Sequence, residues 1–128
     1  MKRTHTPPEI RAPFARYSHA VEIPAGHRLL FASGQLGIAA DDRIPADIKG
    51  QTTLCFENIK AILASAGMTL QDVVRINAYV TDRAHLPGYM RVRDGFISEP
   101  APASTLMIVS GFAREDFLVE VEIVAAAP

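Results

Sequence analysis

Near its C-terminus the chain reads LVEVEIV, Leu118 to Val124. Strand side chains alternate between two faces. Val119, Val121 and Ile123 therefore share one face, and Leu118, Glu120, Glu122 and Val124 the other. A carboxylate in a partly desolvated cleft has a raised pKa and can exchange protons near neutrality, so this pair is the first place to look for acid–base chemistry. Two further stretches set polar groups beside apolar strands: YSHAV, with Tyr17 and His19, and ASGQ, Ala32 to Gln35. A tyrosine hydroxyl and a carboxylate on one face can orient a water and a polar substrate. The same residues have bland readings, Tyr17 as an interface aromatic and Glu120 as a satisfied strand charge. Spacing alone leaves both open.

Other chemistry finds little support. His5, His19, His27 and His85 lack the spacing of a ligand set, and Cys55 falls on the apolar stripe of a helix, so no metal is expected. Gly26, Gly34, Gly50 and Gly67 are scattered rather than gathered into a phosphate loop. No nucleophile elbow surrounds a serine. Asp41 to Arg43 reads as a turn.

The elements that must hold these residues fit one domain over 1–128, since the chain has 128 residues. Residues 1–13 hold Pro7, Pro8 and Pro13 without periodicity and read as an extended arm. Tyr17–Ile23 alternates, PAGH turns, and Arg28–Ser33 is a second strand, together resembling a hairpin. Asp47–Ala66 is a helix: Ile48, Thr52, Cys55, Phe56, Ile59, Ile62, Leu63 and Ala66 form one apolar stripe. Gly67 stops it. Val73–Thr81 is a strand, Leu86–Phe96 a second helix, and Thr105–Val109 with Phe117–Ala125 a third hairpin or close to one. The order β-β-α-β-α-β-β predicts an α+β domain, a mixed sheet with two helices packed on one face. The other face has no cover in this chain and reads as an oligomer interface.

Hydrophobic residues make up 48% of the chain and charged residues 21%, as in ordinary globular proteins. A net charge of −1 is a poor footprint for nucleic acid or an anionic membrane. A single cysteine and the lack of a signal peptide or a membrane-length apolar run lead to a cytoplasmic, soluble expectation.

Taken in order, YSHAV, LLFASGQLG, the helix QTTLCFENIKAILASAGMTLQDVV, INAYVTD, PAST and LVEVEIVA resemble one family across nearly the whole chain, the RidA/YjgF enamine/imine deaminases. The resemblance implies a fold similar to trimeric chorismate mutase and a homotrimer with clefts between subunits. It implies hydrolysis of reactive enamines and imines to keto acids and ammonia without a cofactor. It casts Glu120 and Tyr17 as the catalytic pair. It sets Ser33, Gly34, Ala103, Thr105, Met90, Arg16 and His19 along the substrate site.

Four of these depart from the family pattern. Ala103 stands where an arginine grips the substrate carboxylate, Met90 replaces an asparagine, Arg16 a proline and His19 a glutamine. Loss of one hydrogen bond to a charged group costs about 1.5–3 kcal/mol, or about ten- to a hundredfold in carboxylate affinity. Arg16, Arg75, Arg91 and Arg93 are the cations that could substitute, and Arg75 could instead pair with Glu122. The expected function is deamination with altered substrate anchoring; the alternative is a non-catalytic small-molecule binder. Tautomerisation by Glu120 and His19 also stays open. An older nuclease label of the family sits badly with the charge.

Overall fold

The computed structural model describes residues 2–128. Its elements run β1 (Arg3–His5), β2 (Ala20–Glu22), β3 (Arg28–Phe31), β4 (Gln35–Leu36), α1 (Ile48–Ser65), β5 (Val73–Val80), α2 (Leu86–Phe96), β6 (Ala103–Ile108) and β7 (Val119–Ala127). The helices form where periodicity places them. Asp47 caps α1 by accepting from the Gly50 N–H at 3.3 Å. Gly67 takes φ +70° just beyond the C-cap Ala66, a conformation a side chain would resist.

The main sheet has the order β3-β7-β5-β6, with β4 also paired to β7. Both helices lie on one face. Phe56, Ile59 and Leu63 of α1 and Tyr89 of α2 are buried with Ile76, Ala78 and Val80 of β5 and Val119, Val121 and Ile123 of β7. The fold is α+β, as expected. Register assigns the opposite face to Arg75, Asn77 and Tyr79 of β5, Ala103, Thr105 and Met107 of β6, and Glu120, Glu122 and Val124 of β7. Among the described residues no element covers it, and it leaves Phe31 73%, Met107 55% and Leu29 53% exposed.

Strand partnerships differ from the expected hairpins. β2 pairs with β1, so the N-terminal arm contributes a short strand to a separate two-stranded sheet. β3 pairs with β7 instead of β2. β6 and β7 are not neighbours: β5 lies between them, parallel to β6 and antiparallel to β7. Proximity in sequence favours hairpins, but β5 is apolar enough to be buried as a central strand, and long-range pairing wins.

The break between β3 and β4 matters for the site. Phe31 faces Val124 and Gln35 faces Val121, so three residues, Ala32 to Gly34, oppose two, Glu122 and Ile123. The extra residue is a β-bulge, a device that re-aims side chains at a sheet edge. The Ala32 N–H still donates to the Ile123 carbonyl at 3.1 Å, which keeps the bulge on the ladder.

Candidate active site

The two carboxylates that share a face have different surroundings. Glu122 accepts from the Tyr79 hydroxyl at 2.7 Å and from Asn77 Nδ2 at 3.4 Å. This bond favours the protonated phenol and raises the Tyr79 pKa. Glu120 makes no hydrogen bond or ion pair among the described residues. Its side chain lies against the bulge: a Cβ built on Gly34 would stand 2.5 Å from Oε2. Leu36 faces Glu120 across the β4–β7 ladder. Ser33 is exposed beside it, and its carbonyl accepts from Gln35 Nε2 at 3.1 Å.

Tyr17, His19, Ala103 and Thr105 gather at the other edge, along β6. Ser18 bridges Ala103 and donates through its hydroxyl to the Ala101 carbonyl at 2.6 Å. The Tyr17 and His19 rings meet edge to face at 6.0 Å. The Tyr17 hydroxyl accepts from the Phe14 N–H at 3.2 Å, and His19 Nε2 lies 2.7 Å from the Arg11 carbonyl. These loop contacts present the aromatic pair from an irregular segment.

The chain by itself does not bring the proposed catalytic pair together. Ser18 lies beside Ala103, Ala103 faces Arg75, and Arg75 faces Val124. Tyr17 is therefore three strand spacings across the sheet from β7, and Glu120 is a further four residues along that strand. Strands ~4.8 Å apart and a rise of ~3.4 Å per residue set the two backbones about 20 Å apart.

The arginine candidates are largely engaged. Arg16 donates to the carbonyls of Asp94 at 2.8 Å and Ile97 at 3.2 Å, and its Nε lies 3.6 Å from Glu99. It clasps the end of α2 instead of reaching into a cleft. Arg93 is 2% exposed and bonds Asp94 at 2.9 Å through Nη2. Arg75 does not pair with Glu122: its Nη2 donates to the Thr105 hydroxyl at 2.7 Å, because register places it one row away, opposite Val124 and Ala103. Arg91 is exposed on α2. Met90 packs partly buried against the helix-side core, whereas Ala103 and Thr105 lie on the open face, so these three do not line one wall. Ser104, opposite Ile76, is the PAST residue on the helix side.

A cavity of about 330 Å³ lies at the far end of the sheet, among Lys2, His27, Asp72 and Glu99, and holds none of the proposed site residues. Among the described residues no three His, Cys, Asp or Glu side chains converge as a metal set. Burial, with the Glu120 charge adding, pushes the Cys55 thiol up to about 12, so it is held protonated beneath the site. Sequence reasoning passed over Tyr79, which holds Glu122, and Gln51, a buried amide on the α1 stripe. A polar residue at the stripe's spacing was the available signal for Gln51.

The comparisons with known proteins agree with this architecture. The protein-family model described as Endoribonuclease L-PSP matches residues 9–127. A RutC family protein of Pyrococcus horikoshii is 36% identical over 115 residues, 88% of each chain. A 2-iminobutanoate/2-iminopropanoate deaminase of Dermatophagoides farinae is 26% identical, covering 94% of this chain and 93% of its own. The crystal structure of a Rid-family protein of Yersinia pestis superposes with a TM-score of 0.86 at 29% identity, over 98% of both chains.

Proposed function

Given that this chain belongs to the endoribonuclease L-PSP family, the RidA/YjgF group, we propose that it is a hydrolytic deaminase of reactive imines and enamines. The observation that carries this reading is the division between the two carboxylates. Glu122 is occupied by Tyr79 and Asn77, while Glu120, on the interior strand β7, makes no hydrogen bond or ion pair among the described residues and lies against Gly34 in the break between β3 and β4. That the deaminase from Dermatophagoides farinae aligns along nearly the whole chain supports it.

The chemistry needs few groups. An enamine first tautomerises to the imine. Glu120 takes a proton from water as the oxygen adds to the C=N carbon, giving a carbinolamine. Glu120, directly or through Tyr17, passes that proton to the imine nitrogen; the carbinolamine hydroxyl proton then follows through Glu120 to nitrogen as the C–N bond breaks, so ammonia leaves as C=O forms. One water is consumed, and one carbonyl product and one ammonia are released.

The proposed site is completed by a second copy of the chain. The β3–β4 edge carrying Gly34, with Glu120 just inside it on β7, meets the neighbour's edge carrying Tyr17, in a head-to-tail contact that closes as a homotrimer. Two features support this: the separation of about 20 Å within one chain, and the exposed Leu29, Phe31 and Met107 on the uncovered face. With Ala103 lacking a cation and Arg16 and Arg93 engaged elsewhere, substrate anchoring differs from a direct arginine grip, which favours a less polar or differently held substrate.

Enzymatically generated iminopyruvate and less polar analogues, followed by ammonia release, test the proposal. Acceleration over buffer that Glu120→Gln removes is the expected result; equal rates with and without protein would refute it. The engaged arginines favour one second reading, a non-catalytic binder on the same fold. It would show saturable ligand binding with no ammonia release. The family's nuclease label gains no support from a net charge of −1.

A further inference from the structure

Gln51 is fully buried on the stripe of α1 that faces the core. A buried amide is tolerated where its donors and acceptor are bonded. Its Nε2 donates to the Pro45 carbonyl at 2.9 Å and the Asp116 carbonyl at 2.8 Å, and its Oε1 accepts from the Leu118 N–H at 2.9 Å. Two of these three bonds grip the backbone four and two residues before Glu120.

The same side chain touches the other half of the proposed site. The Gly37 backbone is pressed against it so closely that a Cβ at 37 would overlap the Gln51 Cβ, Cα and Cγ. Gly37 directly follows Leu36, the residue facing Glu120. One amide therefore holds the chain entering β7 and the chain leaving β4. These two segments set how the Glu120 carboxylate meets Gly34. Asn58, seven residues along the same helix, adds a second tether by donating to the Ile38 carbonyl at 3.2 Å.

The position needs such a tether. Glu120 is the second residue of β7, where a strand frays, and the approach to it from Ser110 to Asp116 is irregular and mostly exposed. The β5 ladder restrains one side, through the Thr81 N–H to the Leu118 carbonyl at 3.1 Å. Gln51 restrains the side toward the helix. We infer that Gln51 is a positioning residue for Glu120, holding the carboxylate by fixing the backbone on either side of the β4–β7 pair. The inference rests on the reading of Glu120 as the proton-transfer group.

Gln51→Met keeps the length and removes all three bonds. In the folded variant, kcat for iminopyruvate falls about 10- to 100-fold, as for a displacement of under an ångström to an ångström. KM stays within about twofold, and the Leu118 amide exchanges faster with solvent. Thr53→Ala, on the exposed face of the same helix, leaves kcat unchanged. A folded Gln51→Met with wild-type kcat overturns the inference. Should that variant not fold, Gly37→Ala, which pushes on Gln51 from the β4 side, is measured the same way and is read by the same two outcomes. An inactive wild-type protein would remove the deaminase reading by itself. The inference is then decided by the Glu120 carboxylate ¹³C resonance, which moves in Gln51→Met if Gln51 sets its surroundings and stays in place if it does not.

Discussion

The Glu120 carboxylate occupies the space that a side chain on Gly34 would need: a Cβ there would stand 2.5 Å from Oε2, 2.7 Å from Cδ and 2.9 Å from Cγ. Gly34 is not among the residues with positive φ, so this position calls for glycine through lack of room, not backbone conformation. Gly34→Ala should displace the carboxylate and lower kcat about 10- to 100-fold, with an overpacking cost of about 1–3 kcal/mol. Steady-state rates beside thermal melts check this. An alanine variant with unaltered kcat would show that the contact has no bearing on turnover.

Exchanging each carboxylate for its amide separates their roles. Glu120→Gln should cut turnover by at least about a hundredfold, the lower range for a lost general acid–base group, with oligomeric state unchanged by light scattering. Glu122→Gln keeps the shape but weakens a charge-assisted bond from Tyr79, so it should lower stability by about 1 kcal/mol and leave kcat near wild type. The reverse pattern would exchange the two assignments.

If Tyr17 of one copy works with Glu120 of the next, two inactive variants can repair each other. Co-refolded Tyr17→Phe and Glu120→Gln chains should recover activity in about a quarter of their sites, where both intact residues meet by random mixing around a ring. No recovery in verified mixed trimers would place both groups in one chain's site.

The Tyr79 phenol has its pKa raised above the usual value, first by its hydrogen bond to Glu122 and then by burial. The folded state thus holds this proton more tightly than the unfolded state. The stabilisation is complete below the unfolded tyrosine pKa of about 10 and is lost as pH rises through the higher folded value. Melting temperatures between pH 8 and 11, about the range that brackets this pKa, should fall more steeply for wild type than for Tyr79→Phe. Parallel curves would deny the linkage.

Cys55 is buried on α1 with its Sγ 4.0 Å from the Val119 carbonyl, and its thiol is pushed up to about 12. Only the thiolate is nucleophilic. Ellman's reagent should leave the native protein unlabelled at neutral pH and react fully in denaturant. Rapid native labelling would mean that this face of the core opens.

Both helices were legible because their signals are local. Asp47 caps α1, the stripe from Ile48 to Leu63 turns inward, Gly67 stops it, and α2 spans the predicted Leu86 to Phe96. The alternation in VEVEIV was equally readable: Val119, Val121 and Ile123 are buried, and both glutamates sit on the other face. Resemblance singled out Gly34 and Glu120, and the structure sets the two in contact. Arg16 and Met90 were legible as departures but not in their contacts, since their partners lie on α2 and in the helix-side core.

Sequence by itself thus determined which residues share a face and where the helices begin and end, because periods of 2 and 3.6 residues are properties of a single segment. Only the tertiary structure decided which strands are neighbours. Alternation is indifferent to the partner, and pairing energy depends on segments far apart in the chain. That choice placed β5 between β6 and β7, gave Glu122 to Tyr79 and Arg75 to Thr105, and left Glu120 about 20 Å from Tyr17.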